Sequence, residues 1–176
     1  EPMFQDGSAI IVDGVSRPTH NSEGKPIAKT KAAMSAFWRW FGDSKVVDEH
    51  GRPRVVYHGT DADFSKFKDL GAGDFSGFFF TTSEVTSEMY GDLVMPVYLA
   101  IANPKTVTNP RWDRFTKPFV TDLMKRGKQD GMFIPNHKAV KWGDTWIAFE
   151  PTQIKSAEHN SGAFSPEDPR IFYQSE

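Results

Sequence analysis

The chain has 176 residues, contains no cysteine and carries a formal net charge of −2 at pH 7. This length suits one domain, since domains cluster near about 100–150 residues, and the lack of cysteine excludes disulfides, cysteine-bound zinc and thiol nucleophiles. The near-neutral charge excludes a global basic field that would attract nucleic acid. Aromatic residues make up 14% of the chain, with fifteen Phe and five Trp, so a few large rings can supply the core.

No part of the sequence predicts a membrane span, a secretion signal or a metal site. No apolar run is close to the length of about 20 residues that a helix needs to cross a bilayer. No membrane partner is therefore expected. The five histidines have no metal-ligand spacing. A P-loop, a Gly-x-Ser-x-Gly elbow and a His-Glu-x-x-His motif are also missing. The first residue is Glu1 rather than Met, which indicates an excised domain or a processed chain.

An arm and a helix are predicted at the start of the chain. Residues 1–29 are rich in Gly, Pro, Ser and Asn, which indicates an irregular N-terminal arm before a single domain over residues 30–176. Thr30 can cap a helix that ends at Gly42. The aromatic run Phe37–Phe41 at the end of this helix is interpreted as core-facing, with a base-stacking surface as the alternative.

The predicted strands are short and do not alternate regularly with helices. They are Lys45–Asp48, Arg54–Tyr57, Phe78–Thr81, Val97–Ala102, Gly131–Ile134, Thr145–Phe149, Gln153–Ala157 and Ile171–Tyr173. Further helices are predicted from Ser83 to Tyr90 and over Val120–Arg126. Many short strands with few helices, and no repeated strand–helix–strand order, indicate an α+β fold.

One predicted strand ends in the motif His58–Gly59–Thr60. A histidine at a strand end places its imidazole at the rim of the sheet, where it can hydrogen-bond a sugar hydroxyl without carrying charge. Gly59 has no side chain, so a flat ligand can approach the backbone and pair with its N–H and C=O groups. Taken alone, the motif is more typical of a buried histidine followed by a turn than of a binding site.

A second motif runs from Gly77 to Tyr90. Phe79 and Tyr90 are eleven residues apart and lie on a predicted strand and on the helix after it. Two such rings can enclose a planar ligand, and a positively charged nicotinamide favours an aromatic slot. Ser87 precedes Tyr90 by one helical turn and therefore lies on nearly the same helix face.

Together, strand–His-Gly-Thr, Gly-aromatic-aromatic-Phe and Ser-x-x-Tyr resemble the ADP-ribosyltransferase superfamily, in its diphtheria-toxin and poly(ADP-ribose) polymerase branch with a His-Tyr-Glu signature. The resemblance implies that NAD is the substrate and that His58 binds a ribose hydroxyl. It also implies that Gly59 and Ser87 pair with the nicotinamide amide and that Tyr90 stacks on the ring. His58 and Tyr90 are thereby assigned to catalysis as well as to binding. Phe79 replaces the first tyrosine of the branch and keeps its ring.

Further stretches resemble transferase domains of phage-encoded polyvalent and minor-head proteins. They are Phe37–Asp48, which leads into Tyr57–Thr60, and Phe149–Ala157. The resemblance covers about residues 15–173. It implies an ADP-ribosyltransferase-like split antiparallel β-sandwich with a few flanking helices around an NAD cleft, and it places Thr60 in the NAD site.

The residue expected to support catalysis departs from the pattern of the branch. There, a glutamate usually begins a late strand and stabilises the positive charge that develops on the sugar as nicotinamide leaves. Alignment of the strand Trp146–Phe149 puts Thr145 at this position, with Asp144 before it and Glu150 at the far end. Three interpretations stay open. In the first, Thr145 is a natural substitution and catalysis is slowed or redistributed, for example through Asp144. In the second, the protein binds NAD without efficient turnover or carries an engineered change. In the third, the register differs and Glu150 serves.

The leading prediction is an NAD-dependent ADP-ribosyltransferase that releases nicotinamide and transfers ADP-ribose to a host macromolecule, a protein or a nucleic acid. The phage resemblance implies an effector or toxin that works in the bacterial cytoplasm, after expression there or delivery with a phage particle. One alternative is a catalytically weak NAD-binding protein that acts by binding a host partner. The other is a nucleic-acid-binding module that uses the Trp38–Phe41 aromatics with Arg39, Arg52 and Arg54.

Overall fold

The computed structural model describes residues 4–60, 77–84, 93–108, 117–135, 143–158 and 164. Its strands and α-helices are β1 (Ala9–Val12), β2 (Val15–Pro18), α1 (Lys31–Phe41), β3 (Val56–Thr60), β4 (Phe78–Thr81), β5 (Leu93–Leu99), β6 (Pro104–Thr106), α2 (Lys117–Lys125), β7 (Gly131–Ile134), β8 (Thr145–Ala148) and β9 (Ile154–Ser156). The first two strands form a hairpin, and the other seven form one sheet in the order β6-β7-β8-β4-β3-β5-β9. This arrangement confirms the predicted α+β class.

The seven-stranded sheet is antiparallel apart from β6 and β7, which run parallel. In a flat sheet, the five strand spacings between β5 and β6 would add up to about 24 Å. The chain between Leu99 and Pro104 reaches about 18 Å at most. The sheet therefore curls so that its two ends approach each other. The side-chain amide of Gln153 joins these ends, because it donates hydrogen bonds to the carbonyl oxygens of Ala100 (3.0 Å) and Asp130 (2.7 Å).

Helix α1 begins and ends as the sequence predicts. The hydroxyl of Thr30 accepts a hydrogen bond from the backbone N–H of Ala33 at 3.1 Å, which satisfies one of the unpaired donors of the first turn. Gly42 ends the helix with a positive φ of 54°, a conformation that L residues with a side chain rarely adopt.

The aromatic residues of α1 form the centre of one hydrophobic core. The ring of Phe37 is fully buried and contacts that of Tyr98 of β5 at 5.0 Å between centroids. Trp38, Trp40 and Phe41 are 3%, 6% and 2% exposed. The core-facing interpretation is thus confirmed, and the base-stacking surface is wrong. Burial of these rings against the sheet removes a large apolar area from water and so stabilises the packing of α1.

The N-terminal segment is more regular than its composition indicates, and the prediction of an irregular arm is wrong for residues 9–18. Asp13 and Gly14 both have positive φ, 50° and 83°, and join β1 to β2. Two consecutive residues with positive φ match the right-handed twist of a hairpin. The Asp-Gly pair therefore indicates a hairpin turn, which the overall composition of the segment does not show. Val12 and Ile27 are buried in the α1 core. The domain boundary at residue 30 stays a prediction.

Two other elements differ from the prediction, and two further predicted elements are not tested. The strand expected at Lys45–Asp48 is reduced to an isolated bridge between Val47 and Pro53. β6 was not expected, because its three residues are mostly exposed and carry no alternating pattern. The helix expected from Ser83 to Tyr90 lies mostly outside the described residues, and the strand expected at 171–173 lies wholly outside them.

Candidate active site

Side chains of the central strands alternate between the two faces of the sheet. Val56 of β3, Phe80 of β4 and Trp146 of β8 share the core that the curled sheet encloses. On the opposite face, Tyr57 packs against the α1 core, whereas Phe79 packs against the core built on α2. This outer face therefore carries two separate cores, one on each side of the boundary between β3 and β4.

The boundary between β3 and β4 is bridged in an unusual way. The register of the two strands pairs Tyr57 with Thr81. Beyond that pair, Nδ1 of His58 lies 2.8 Å from the carbonyl oxygen of Phe79. An imidazole thus occupies the place where a regular ladder would carry backbone hydrogen bonds.

The contact with Phe79 determines which nitrogen of His58 carries the proton. A carbonyl oxygen only accepts hydrogen bonds, so Nδ1 donates, and the neutral ring presents Nε2 as an acceptor. Burial lowers the pKa of His58 below its ordinary value of 6.5, and this effect exceeds the opposing effect of the Phe79 carbonyl. His58 is therefore neutral at pH 7.

Three of the predicted site residues lie on the outer face of the sheet. Gly59 follows Tyr57 by two residues along β3, and Phe79 precedes Thr81 by two residues along β4. Thr145 of β8 lies directly opposite Thr81. The structure therefore brings Gly59, Phe79 and Thr145 onto one face across three neighbouring strands. Thr60 ends β3, and its backbone pairs with Leu93 of β5.

Asp144 and Glu150 do not share the face of Thr145. The backbone N–H of Asp144 donates to the Thr82 hydroxyl at 2.8 Å, and its carbonyl accepts from the Thr82 N–H at 3.0 Å. Asp144 directly precedes β8, so continued strand alternation would set its side chain on the face opposite Thr145. Glu150 lies beyond the far end of β8, about 16 Å along an extended chain from Thr145, and is exposed where it caps a short 3-10 turn.

Two glycines hold β4 tightly against β8. Gly77 has a φ of 108°, and a Cβ atom added to it would lie 2.7 Å from Cγ2 of Ile147. Gly143 has a φ of 68°, and a Cβ atom there would lie 2.5 Å from the hydroxyl oxygen of Thr82. Only glycine fits both positions, so the register that brings Thr145 opposite Thr81 is fixed at both ends.

Sequence reasoning missed Tyr57 and Glu23. The hydroxyl of Tyr57 donates a hydrogen bond to the carboxylate of Glu23. Burial, followed by the Glu23 carboxylate, raises the pKa of Tyr57 well above its ordinary range, so the phenol stays protonated. Strand alternation could have placed Tyr57 on the face of Gly59. No local signal identifies Glu23, which lies 34 residues earlier in the chain.

The other predicted site residues, Ser87 and Tyr90, lie outside the described residues. Among the residues that are described, no group of three histidine or acidic side chains is placed to hold a metal ion. No helix within the same ranges is long and apolar enough to cross a membrane.

A comparison with protein-family models identifies one match. The model described as ADP-ribosyltransferase in polyvalent proteins matches residues 48–164, more than half of the chain. The matched segment contains His58, Gly59, Phe79 and Thr145, whereas Glu23 lies outside it. No curated protein matches the chain significantly. The chain belongs to the family of ADP-ribosyltransferases in polyvalent proteins, and its α+β fold is that of an ADP-ribosyltransferase.

Proposed function

We propose that this chain uses NAD as its substrate and binds the nicotinamide end where β3 and β4 part. The observation that carries the proposal is the alignment of Gly59, Phe79 and Thr145 on one face, beside a neutral His58, in a member of this family. The boundary between the two cores of the outer face offers a planar ring apolar side chains on both sides.

Each residue of the β3–β4 boundary has a role in this proposal. Nε2 of His58 accepts a hydrogen bond from a ribose hydroxyl. The peptide groups next to Gly59, which no side chain covers, pair with the carboxamide of nicotinamide. Thr60 lines the same end of β3.

The ring of nicotinamide lies between two aromatic side chains in this proposal. Phe79 stacks on one face of the ring and Tyr90 on the other, and Ser87 donates to the carboxamide. An aromatic face favours the positive charge that the ring carries in NAD. Phe79 supplies that face without the hydroxyl group of a tyrosine.

The reaction breaks the bond between C1′ of the ribose and the nicotinamide nitrogen, and nicotinamide leaves with the electron pair. A nucleophile of the acceptor then forms a bond to C1′ and releases its proton. Positive charge develops on the ribose during this step. The hydroxyl of Thr145 can orient a ribose hydroxyl but cannot neutralise that charge, and loss of one such electrostatic group commonly lowers the rate by about 10²–10³-fold.

We propose a macromolecule of the bacterial host as the acceptor, a protein or a nucleic acid, and an effector role in the bacterial cytoplasm. The family description, which refers to polyvalent proteins, supports this setting. We also propose that residues 30–176 form the transferase domain, onto which the N-terminal segment packs.

A second candidate function is favoured by Thr145 itself. A protein with the binding face intact and a neutral residue at the start of β8 can hold NAD without efficient turnover and act by binding a partner. The nucleic-acid-binding module has lost its basis, because the aromatic rings it requires are buried.

The test is incubation of the chain with a bacterial lysate and NAD labelled in its ADP-ribose part. We expect nicotinamide release and label on a macromolecule, which protease or nuclease treatment then assigns to protein or nucleic acid. Gly59→Val is the matched control, because valine suits a strand and its side chain would project onto the outer face. NAD binding without nicotinamide release or label transfer would establish the second candidate instead.

A further inference from the structure

The site needs negative charge that the end of the sheet at Thr145 does not provide. Asp144 and Glu150 flank β8: by strand alternation Asp144 falls on the face opposite Thr145, and Glu150 lies beyond the far end of the strand. Among the described residues, a carboxylate that acts on the face of Thr145 would therefore have to come from outside β8.

Glu23 reaches the outer face of the sheet through Tyr57. The Tyr57 hydroxyl donates to the Glu23 carboxylate, and Tyr57, Thr81 and Thr145 form one row across β3, β4 and β8. Two strand spacings separate the backbones of Tyr57 and Thr145, about 10 Å. The carboxylate thus lies on the same face as Gly59 and Phe79, on the β3 side of the cleft.

The loop that carries Glu23 is held by a buried asparagine. Asn21 is 2% exposed, and its Oδ1 accepts hydrogen bonds from the backbone N–H groups of Glu23 (2.9 Å) and Lys25 (3.1 Å). Its side-chain amide donates to the hydroxyl of Tyr98 at 3.0 Å. A group fixed in this way loses little freedom when a ligand binds, which suits an electrostatic role.

The same loop is joined to the chain just before β3. The backbone N–H of Ser22 donates to the carbonyl of Pro53 at 2.9 Å, and the hydroxyl of Ser22 accepts from the N–H of Val55 at 2.9 Å. The Glu23 side chain remains 32% exposed, with its second oxygen 3.4 Å from the Lys25 ammonium. The pair is partly exposed, so solvent weakens the attraction between the Lys25 ammonium and the carboxylate.

We propose that Glu23, positioned by Tyr57, supplies the negative charge that stabilises the ribose as nicotinamide leaves, in place of a glutamate at the start of β8. This inference rests on the proposed function. The carboxylate stays ionised throughout, and the departing nicotinamide takes the electron pair of the C1′–N bond, so Glu23 transfers no proton. The N-terminal segment, which lies outside the family match, is thereby part of the active site.

The experiment compares nicotinamide release and NAD affinity for the full chain and five variants. Glu23→Gln should lower the release rate about tenfold to a hundredfold, because the group acts across the cleft rather than in direct contact, and should leave NAD affinity within about threefold. Tyr57→Phe should lower the rate less. Glu158→Gln removes a carboxylate whose charge also acts on Tyr57 and should leave the rate within about twofold.

The double variant Glu23→Gln, Thr145→Glu distinguishes a catalytic loss from a structural one. A glutamate at position 145 should restore the rate that Glu23→Gln removes. Wild-type release by Glu23→Gln would overturn the inference, and so would a loss that Thr145→Glu fails to restore. If the wild-type chain and a Thr145→Glu chain both bind NAD and release no nicotinamide, the proposed function fails as well. If the wild-type chain releases nicotinamide and Glu23→Gln does so at the same rate, the inference about Glu23 is overturned and the proposed function stands.

Discussion

The two strands that flank β4 make different contributions to the site. β8 pairs with β4 over four residues, from Phe78 opposite Ala148 to Thr81 opposite Thr145. β3 pairs with β4 at Tyr57 and Thr81, after which the imidazole of His58 bridges the two strands. The β8 side fixes the register and presents a neutral threonine, whereas the β3 side presents His58 and Gly59, to which we assign NAD binding. Binding and charge stabilisation should therefore respond to different substitutions.

The largest effect is expected on the β8 side. Thr145→Glu should raise the rate of nicotinamide release about 10²–10³-fold, because a carboxylate would then contact the ribose as its charge develops. Thr145→Gln has nearly the same shape without the charge and should show no such gain. Equal rates for the two variants would mean that position 145 does not face the reacting ribose.

A substitution at Gly77 tests the close packing of β4 against β8. Gly77→Ala should lower the free energy of unfolding by about 2–4 kcal/mol, because the positive φ is strained and the added Cβ meets Ile147. Chemical denaturation measures this change. Gly51→Ala is the matched control, since Gly51 also has a positive φ of 76° but no atom within 4 Å of the added Cβ. A loss no larger than that of Gly51→Ala would contradict tight packing there.

On the β3 side, the expected effect is on affinity. His58→Ala should weaken NAD binding about tenfold, which corresponds to the loss of one hydrogen bond in a partly buried site. Titration calorimetry measures the affinity. His50→Ala removes an exposed histidine and should leave NAD affinity unchanged. If the two variants bind NAD equally well, His58 does not contact the nucleotide.

The smallest effect is a dependence on pH. Because the pKa of His58 is lowered in the folded chain, the unfolded chain binds this proton more readily. The stability that the neutral ring contributes is complete above the unfolded value of 6.5 and is lost as the pH falls toward the lowered pKa. NAD affinity should stay level from pH 8 to 6.5. The difference in pH dependence between wild type and His58→Asn gives the contribution of His58 to NAD affinity. A decline in wild-type affinity that begins above pH 6.5 would contradict the lowered pKa of His58.

Elements with strong local signals were predictable from the sequence. The cap at Thr30 and the stop at Gly42 define α1, and β4 and β7 have the predicted bounds, Phe78–Thr81 and Gly131–Ile134. Each of these apolar runs is short and flanked by glycine or a turn, so local sequence alone limits it. The family fold was recognisable from motif spacing, and the match over residues 48–164 confirms it.

Contacts between distant parts of the chain were not predictable. β6 consists of Pro104–Thr106 and forms only by pairing in parallel with β7, which no local pattern shows. The bond from His58 to the Phe79 carbonyl depends on the point where β3 and β4 part. Glu23 reaches Tyr57 because the buried Asn21 folds the loop before it. The roles of these residues in the site remain predictions.

The most direct test of the central claim, that NAD binds where β3 and β4 part, is calorimetric titration of NAD into the wild-type chain and Gly59→Val. We expect saturable binding to the wild-type chain, and no binding to the variant although its thermal unfolding is unchanged. Equal NAD affinity of the two proteins, or no binding by the wild-type chain at millimolar NAD, would contradict the claim.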